Sequence, residues 1–299
     1  MEKAAGPHGQ GNSHLKGVAI TALGVLVLTP DGLLTSLVAA DVRTSLFWRG
    51  LFLGFALTAL VLIRYRAGAG RAFKALLTAP QLMVAVFFAI SSIGFVVSVV
   101  TTSVANTLFI VACAPLFSAI IGRVLFGERT SRRTIIVILI TIGGMGVIFA
   151  EGLGRGDLTG NLFAISTALA WAGMLVTLGR ARIEDPAPAM ALGGYMIAGV
   201  ALLVAPTLTM VPHDFIWLSL LGFIVLPISF FLIGLGPRHL PAPEVSLIML
   251  LEAVLGPVWA WLVIAQAPSN LSMLGGAVIL GTLATHFAIG LRAASREEN

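Results

Sequence analysis

Residues 104–151 read VANTLFIVACAPLFSAIIGRVLFGERTSRRTIIVILITIGGMGVIFAE: two apolar runs joined by a short loop that carries Arg129, Arg132 and Arg133. A helix needs ~20 mostly apolar residues to cross the ~30 Å hydrocarbon core of a bilayer, and each run meets that length. The loop supplies both a break and a charge signal, because short cytoplasmic loops are enriched in Lys and Arg. This stretch therefore predicts two antiparallel membrane spans closed by a cytoplasmic turn.

Working outward, the same pattern recurs along the whole chain. Spans are expected at 16–38, 44–63, 82–101, 104–126, 134–151, 162–178, 190–210, 215–235, 243–264 and 271–291, numbered 1 to 10. Their connections, such as 65–71, 152–157 and 236–241, are short and marked by Gly, Pro or charge. The fold class is an all-α integral membrane protein. Of the 299 residues, 58% are hydrophobic and 10% charged, against about a quarter charged in a soluble domain. The net charge of +5 is not a nucleic-acid footprint, since the basic residues sit singly between apolar runs. With both termini in the cytoplasm, only Arg43 and Arg155 of the 18 Lys and Arg fall in far-side loops, and Arg49 falls inside span 2. The expected location is a bacterial inner (plasma) membrane. Residues 1–14 read as a short disordered cytoplasmic tail without a cleaved leader, and 292–299 as a second cytoplasmic tail. One cysteine, Cys113, and five scattered histidines leave no disulfide framework and no metal-ligand spacing. No metal, cofactor or catalytic residue is expected.

Placing Pro115 on Ala253 aligns Gly127-Glu128 with Ala265-Gln266, Ser131 with Ser269, Gly143 with Gly281 and Phe149-Ala150 with Phe287-Ala288, without a gap. Three consecutive spans and both their loops superimpose in hydropathy at this offset, the mark of an internal repeat. Each unit holds an odd number of spans, so the second must enter the membrane from the opposite side. That inverted topology is common among transporters. The repeat units are 15–151 and 158–291.

The stretch from Ala114-Pro115 to Phe126-Gly127-Glu128-Arg129-Thr130-Ser131, with Gly143 and Gly144 beyond it, resembles the EamA domain of the drug/metabolite transporter superfamily. So does Ala170-Trp171-Ala172 in span 6. The resemblance implies ten helices in two inverted EamA repeats and a central cavity lined mainly by spans 1, 3, 4, 6, 8 and 9. It also implies alternating access and export of amino acids or related metabolites, with aromatic amino-acid exporters the nearest group. The chain departs from the pattern at Ala265-Gln266 where Gly-Glu is usual, at Glu252-Ala253 where Glu-Pro is common, and at Thr29-Pro30-Asp31 where a Trp is often seen. A flippase for a lipid-linked sugar could use the same fold. An intramembrane enzyme would need a nucleophile for His286 or paired carboxylates, and the sequence offers neither.

Charged residues inside spans mark candidate sites. Glu252 lies about nine residues into span 9, ~14 Å deep, and reads either as a substrate or proton site or as a protonated acid bonded between helices. No basic residue is expected at its depth. Asp31 follows Pro30 in span 1, where proline can bend the helix; it either lines the outer part of the cavity beside that bend or is a polar residue near the outer end of a shorter helix. Glu244, in the first turn of span 9, complements the helix dipole. Arg49 beside Trp48 is expected to snorkel to the outer interface as an anchor. Trp171 is too deep for the interfacial aromatic belt and could contact substrate or simply pack. Ser91, Ser92, Asn106, Thr107 and Ser229 offer polar groups to a ligand or to neighbouring helices. Phe87, Phe109, Phe230 and Met249 complete the expected apolar lining. Pro115 and Pro257, at matching places in the two units, are candidate bends.

Overall fold

The computed structural model describes residues 7–102, 104–150, 157–205, 207–265 and 269–297. Lys3, Glu151, Arg155, most of the 152–157 loop and Gln266 lie outside the described residues. Every regular element among the described residues is a helix, and ten stretches are long and apolar enough to cross a membrane. Both termini are consequently on one face, called here the termini side.

Span 1 is broken into α1 (Pro7–Leu28) and α2 (Asp31–Ser36). Span 2 is α3 (Val42–Tyr65), and the connection expected at 65–71 instead winds into a 3-10 turn and the short α4 (Ala69–Ala75). Span 3 is α5 (Ala79–Thr101), and span 4 is split into α6 (Val104–Val111) and α7 (Ala114–Phe126). Span 5 is α8 (Arg132–Phe149), span 6 α9 (Leu158–Arg180) and span 7 α10 (Ala187–Val204). Span 8 comprises α11 (Pro212–Leu220), a π-helical turn at Leu221–Val225 and α12 (Leu226–Leu235). Pro227 lacks an N–H and crowds the preceding turn, and a widened turn is one way a helix absorbs that crowding. Spans 9 and 10 are α13 (Ala242–Ile264) and α14 (Asn270–Glu297).

Two expected tails change. Residues 7–14 are helical, because Ser13 and His14 are held by His239 and Glu244. At the other end, α14 runs on to Glu297, so residues 292–297 continue the last helix.

The packing has the symmetry of the repeat. Spans 2 and 7, 4 and 9, and 5 and 10 pack on each other, while span 3 lies along span 6 and span 1 along span 8. Exchanging each span with its repeat equivalent maps this pattern onto itself, as a pseudo-two-fold axis in the membrane plane requires. In the absence of a hydrophobic drive between helices, close backbone approach supplies the contact. A Cβ on Gly50 of α3 would stand 2.8 Å from the Gly194 carbonyl of α10, and one on Gly275 of α14 would stand 2.6 Å from the Gly144 carbonyl of α8.

The weak sequence matches between units mark the same local devices. Gly127 (φ 69°) closes α7 in the left-handed region, its N–H reaching the Arg123 carbonyl and the Glu128 N–H the Gly122 carbonyl, a Schellman stop. Ala265, its repeat mate, is also left-handed at φ 56°, a conformation costing about 1 kcal/mol for a residue with a Cβ. Ser131 accepts from the Thr134 N–H at 3.0 Å and Ser269 from the Ser272 N–H at 3.1 Å, so both serines cap the following span. Glu128 pairs with Arg180 at 3.2 Å, and the guanidinium sits 4.7 Å from the Phe126 ring centre. The Gly-Glu stretch thus ties the end of span 4 to the end of span 6.

Candidate functional site

The break in span 1 begins with Pro30, which cannot donate to the helix, so α1 stops at Leu28 and α2 starts at Asp31. The Thr29 hydroxyl donates to the Leu26 carbonyl at 2.8 Å and accepts from the Trp259 indole N–H of α13 at 2.8 Å. Asp31 then turns toward α3. A single Arg49 nitrogen, Nη2, donates to both of its carboxylate oxygens at 2.7 and 2.9 Å, while Nη1 donates to the Thr35 hydroxyl at 2.7 Å. Thr35 in turn donates to Asp31 at 3.3 Å. The two charged side chains are only 21% and 20% exposed, so the expectation that Arg49 anchors span 2 at the outer interface is corrected. Its guanidinium points inward because a carboxylate at the same depth compensates its burial better than the headgroup layer would. Trp48 alone faces the far-side loop, donating to the Leu208 carbonyl at 3.0 Å.

Glu252 sits on α13, which packs against α2. The residue is half-buried, ten residues on from Ala242 and so ~15 Å along the helix. The neighbouring α2 begins at Asp31, which holds Arg49, so a helix packed on α13 brings in a basic residue where none was expected. Gly256 and Trp259 follow on the same helix face, at the i+4 and i+7 spacing. Gly256 lies beside the Thr29 carbonyl, 3.9 Å from where a Cβ would sit. The broken helix, Arg49 and the Glu252 face of α13 therefore form one charged cluster drawn from spans 1, 2 and 9.

An aromatic floor lies on the termini side of this cluster. Phe88 meets Phe230 edge-on at 5.0 Å and Trp171 meets Phe230 at 6.1 Å. The Phe87 ring sits 3.1 Å from where a Gly173 Cβ would be, and Met249, one turn before Glu252, packs on the same cluster. Trp171 is buried, and its indole N–H has no hydrogen-bond partner among the described residues. Ser91, buried, and Ser92, partly buried, also have no partner among them.

Other expected residues are engaged elsewhere. Ser229 bonds back to the Leu226 carbonyl at 3.1 Å. Thr107 bonds Ser98 at 2.7 Å, and Asn106 joins Thr102 and Asn161 across spans 3, 4 and 6. Phe109 belongs to a second apolar cluster with α8. Pro115 does start a new helix after the break at residues 112–113, whereas α13 continues through Pro257. The expected pair of breaks is thus a break in span 4 and an unbroken helix in span 9.

Packing falls off across Glu252. Toward the termini, Val245, Ser246, Leu247 and Ile248 are fully buried, and Ser246 bonds the buried Ser118 at 3.1 Å. Beyond Leu251 no described α13 residue is buried, and Leu262 reaches 69% exposure. The tight end is latched by charge. His14 of α1 meets Glu244 at 2.9 Å and His286 of α14 approaches it at 3.9 Å, so Glu244 does more than complement a dipole. Arg133 donates to the His286 carbonyl, and Ser13 bonds His239 at 2.9 Å. Burial, with Lys16 and Arg238 nearby, holds His239 below the usual imidazole range, leaving it neutral at pH 7.

Sequence reasoning missed the pairing of Arg49 with Asp31 and the histidine latch. A signal for the first existed: Asp31 and Arg49 lie at equal distances either side of Ala40, in the turn between antiparallel spans. The latch joins residues from three distant segments, and no spacing rule connects them.

Residues 158–286 match the EamA-like transporter family. That stretch covers spans 6 to 9 and most of span 10. Among solved structures, one titled "Crystal structure of protein" superimposes with a TM-score of 0.77 over 91% of this chain and 98% of its own, at 19% identity. This likeness establishes the shared fold. No curated protein sequence matches the chain. The family match points to a membrane transporter of the drug/metabolite transporter superfamily.

Proposed function

We propose that this transporter exports apolar and aromatic amino acids across a bacterial inner membrane by alternating access, with both termini in the cytoplasm. The observation that carries the reading is the packing of α13, the helix of Glu252, against the break in span 1 where Asp31 pairs with Arg49. A zwitterion presents one ammonium and one carboxylate, and the cluster offers two carboxylates and one guanidinium to receive them. The ammonium would exchange into Glu252 or Asp31, and the carboxylate would compete with Asp31 for Arg49. Charge-assisted bonds of this kind are the strong ones. Trp171, Phe230, Phe87 and Met249 would take the side chain against an apolar floor. A di- or trianion would find one guanidinium and two repelling carboxylates.

The pseudo-two-fold packing supports alternating access, because two symmetry-related ends can open in turn. Dense packing and the Glu244 latch at the termini side, against loose packing beyond Glu252, fit the state open to the far side. The cytoplasmic assignment rests on the Lys and Arg asymmetry of the loops.

Counterflow of radiolabelled phenylalanine and threonine into proteoliposomes, without an ion gradient, tests the proposal. Saturable counterflow that Glu252→Gln abolishes is expected. Saturable uptake of a sugar phosphate, with none of either amino acid, would overturn the substrate class.

A further inference from the structure

Outside the central cluster, an open groove of about 730 Å³ lies between α8 and α14, lined by Ile136, Ile140, Val278, Gly281 and Ile289, with Arg133 at one end. We infer that this groove is a binding site for one anionic phospholipid of the termini-side leaflet, its acyl chain along the groove and its phosphate at Arg133.

Three observations carry this. The first is length. Ala277 to Ile289 spans about twelve residues of α14, ~18 Å of helix, close to half of the ~30 Å hydrocarbon core and so to one leaflet. The second is the apolar floor. Thr282 and Thr285 lie in the groove, but their hydroxyls bond back to the Val278 and Gly281 carbonyls at 2.7 Å each. They turn inward and leave methyl groups to the chain. At Gly281 a Cβ would meet nothing within 4 Å, so a notch is left where the two helices diverge from their close contact at Gly144 and Gly275.

The third is charge at one end only. Arg133 stands in the first turn of α8, at the level where a headgroup would lie, and half-buried. It donates to the His286 carbonyl and has no carboxylate partner among the described residues, while Arg129 and Arg132 are exposed in the adjoining turn. Glu128, the acid of that turn, is already engaged by Arg180. A guanidinium with spare donors matches a phosphate, and basic pockets between spans on this kind of face bind anionic headgroups. The site is separate from the Glu252 cluster and does not depend on what the protein transports.

Native mass spectrometry of the full-length protein in detergent, titrated with phosphatidylglycerol or phosphatidylcholine of identical acyl chains, tests the inference. The wild type is expected to retain phosphatidylglycerol at least fivefold more than phosphatidylcholine. Gly281→Leu fills the notch in open space and is expected to lower phosphatidylglycerol retention about fivefold. Arg133→Gln is expected to erase the headgroup preference, and Arg133→Lys to keep most of it. Equal retention of the two lipids by the wild type would overturn the site without any variant. Unchanged retention in a folded Gly281→Leu protein would also overturn it. So would competition by free glycerol phosphate as strong as by the lipid, or a dimer that Gly281→Leu dissociates, which would give the groove to a second copy of the chain.

Discussion

Replacing Arg49 by Gln should separate what the Asp31 pair does for stability from what it does for transport. At 2.7 Å and an effective dielectric of about 20, the attraction between unit charges is about 6 kcal/mol. Desolvation of both partners offsets most of it, and breaking a buried pair costs about 3–5 kcal/mol because one charge is left without compensation. With each side chain about one-fifth exposed, water screens part of that, and a loss of about 2 kcal/mol is expected. Arg49→Gln in detergent should therefore melt earlier than the wild type. Asp31→Asn alone should behave similarly, and the double variant should recover about half of the loss, since no lone charge remains; the coupling energy should be about 3 kcal/mol. Transport should follow another course. If the pair receives the ends of a zwitterion, amino-acid counterflow stays abolished in the double variant although its stability returns. A double variant that regains both stability and wild-type counterflow would show that the pair is only a strut. Additive losses in the melts would refute the coupling itself.

Four further outcomes follow from the same geometry. Glu252→Gln keeps the shape and hydrogen-bonding capacity of the protonated acid, so a coupling role predicts normal insertion with lost transport or a flattened pH profile; wild-type rates and profile would move the role to Asp31. Glu244→Gln weakens the links to His14 and His286, and a cysteine at Ser118 should then react with a thiol reagent on the termini side several-fold faster, whereas an unchanged rate would deny the latch. Ala265→Gly relieves a left-handed alanine and should raise stability by about 0.5–1 kcal/mol, read as a later melt; an earlier one would contradict that backbone assignment. In a Cys113→Ala background, Arg155→Cys should be labelled in intact cells and a cysteine at Arg129 only after lysis, the reverse pattern inverting the topology.

Span number and the all-α class were legible in the chain because both depend on quantities local in sequence: the length of apolar runs and the charge of short loops. The break at Pro30 was legible for the same reason, since proline acts on its own helix. The repeat could be read from hydropathy, and its sparse matches prove to be caps, with Ser131 and Ser269 starting helices and Gly127 and Ala265 ending them. Partners were another matter. Arg49 looked like an interfacial anchor because snorkelling is judged from one helix alone, and the pull of Asp31 exists only once spans 1 and 2 lie side by side. Asn106, Thr107 and Ser229 looked like candidate ligand groups, yet neighbouring helices and carbonyls take up bonds that composition leaves open. The latch of His14, Glu244 and His286 and the groove between α8 and α14 were decided by tertiary structure alone. Each joins side chains far apart along the chain, and inside a bilayer, where apolar helices gain little from one another over lipid, close packing and polar pairing choose which faces meet.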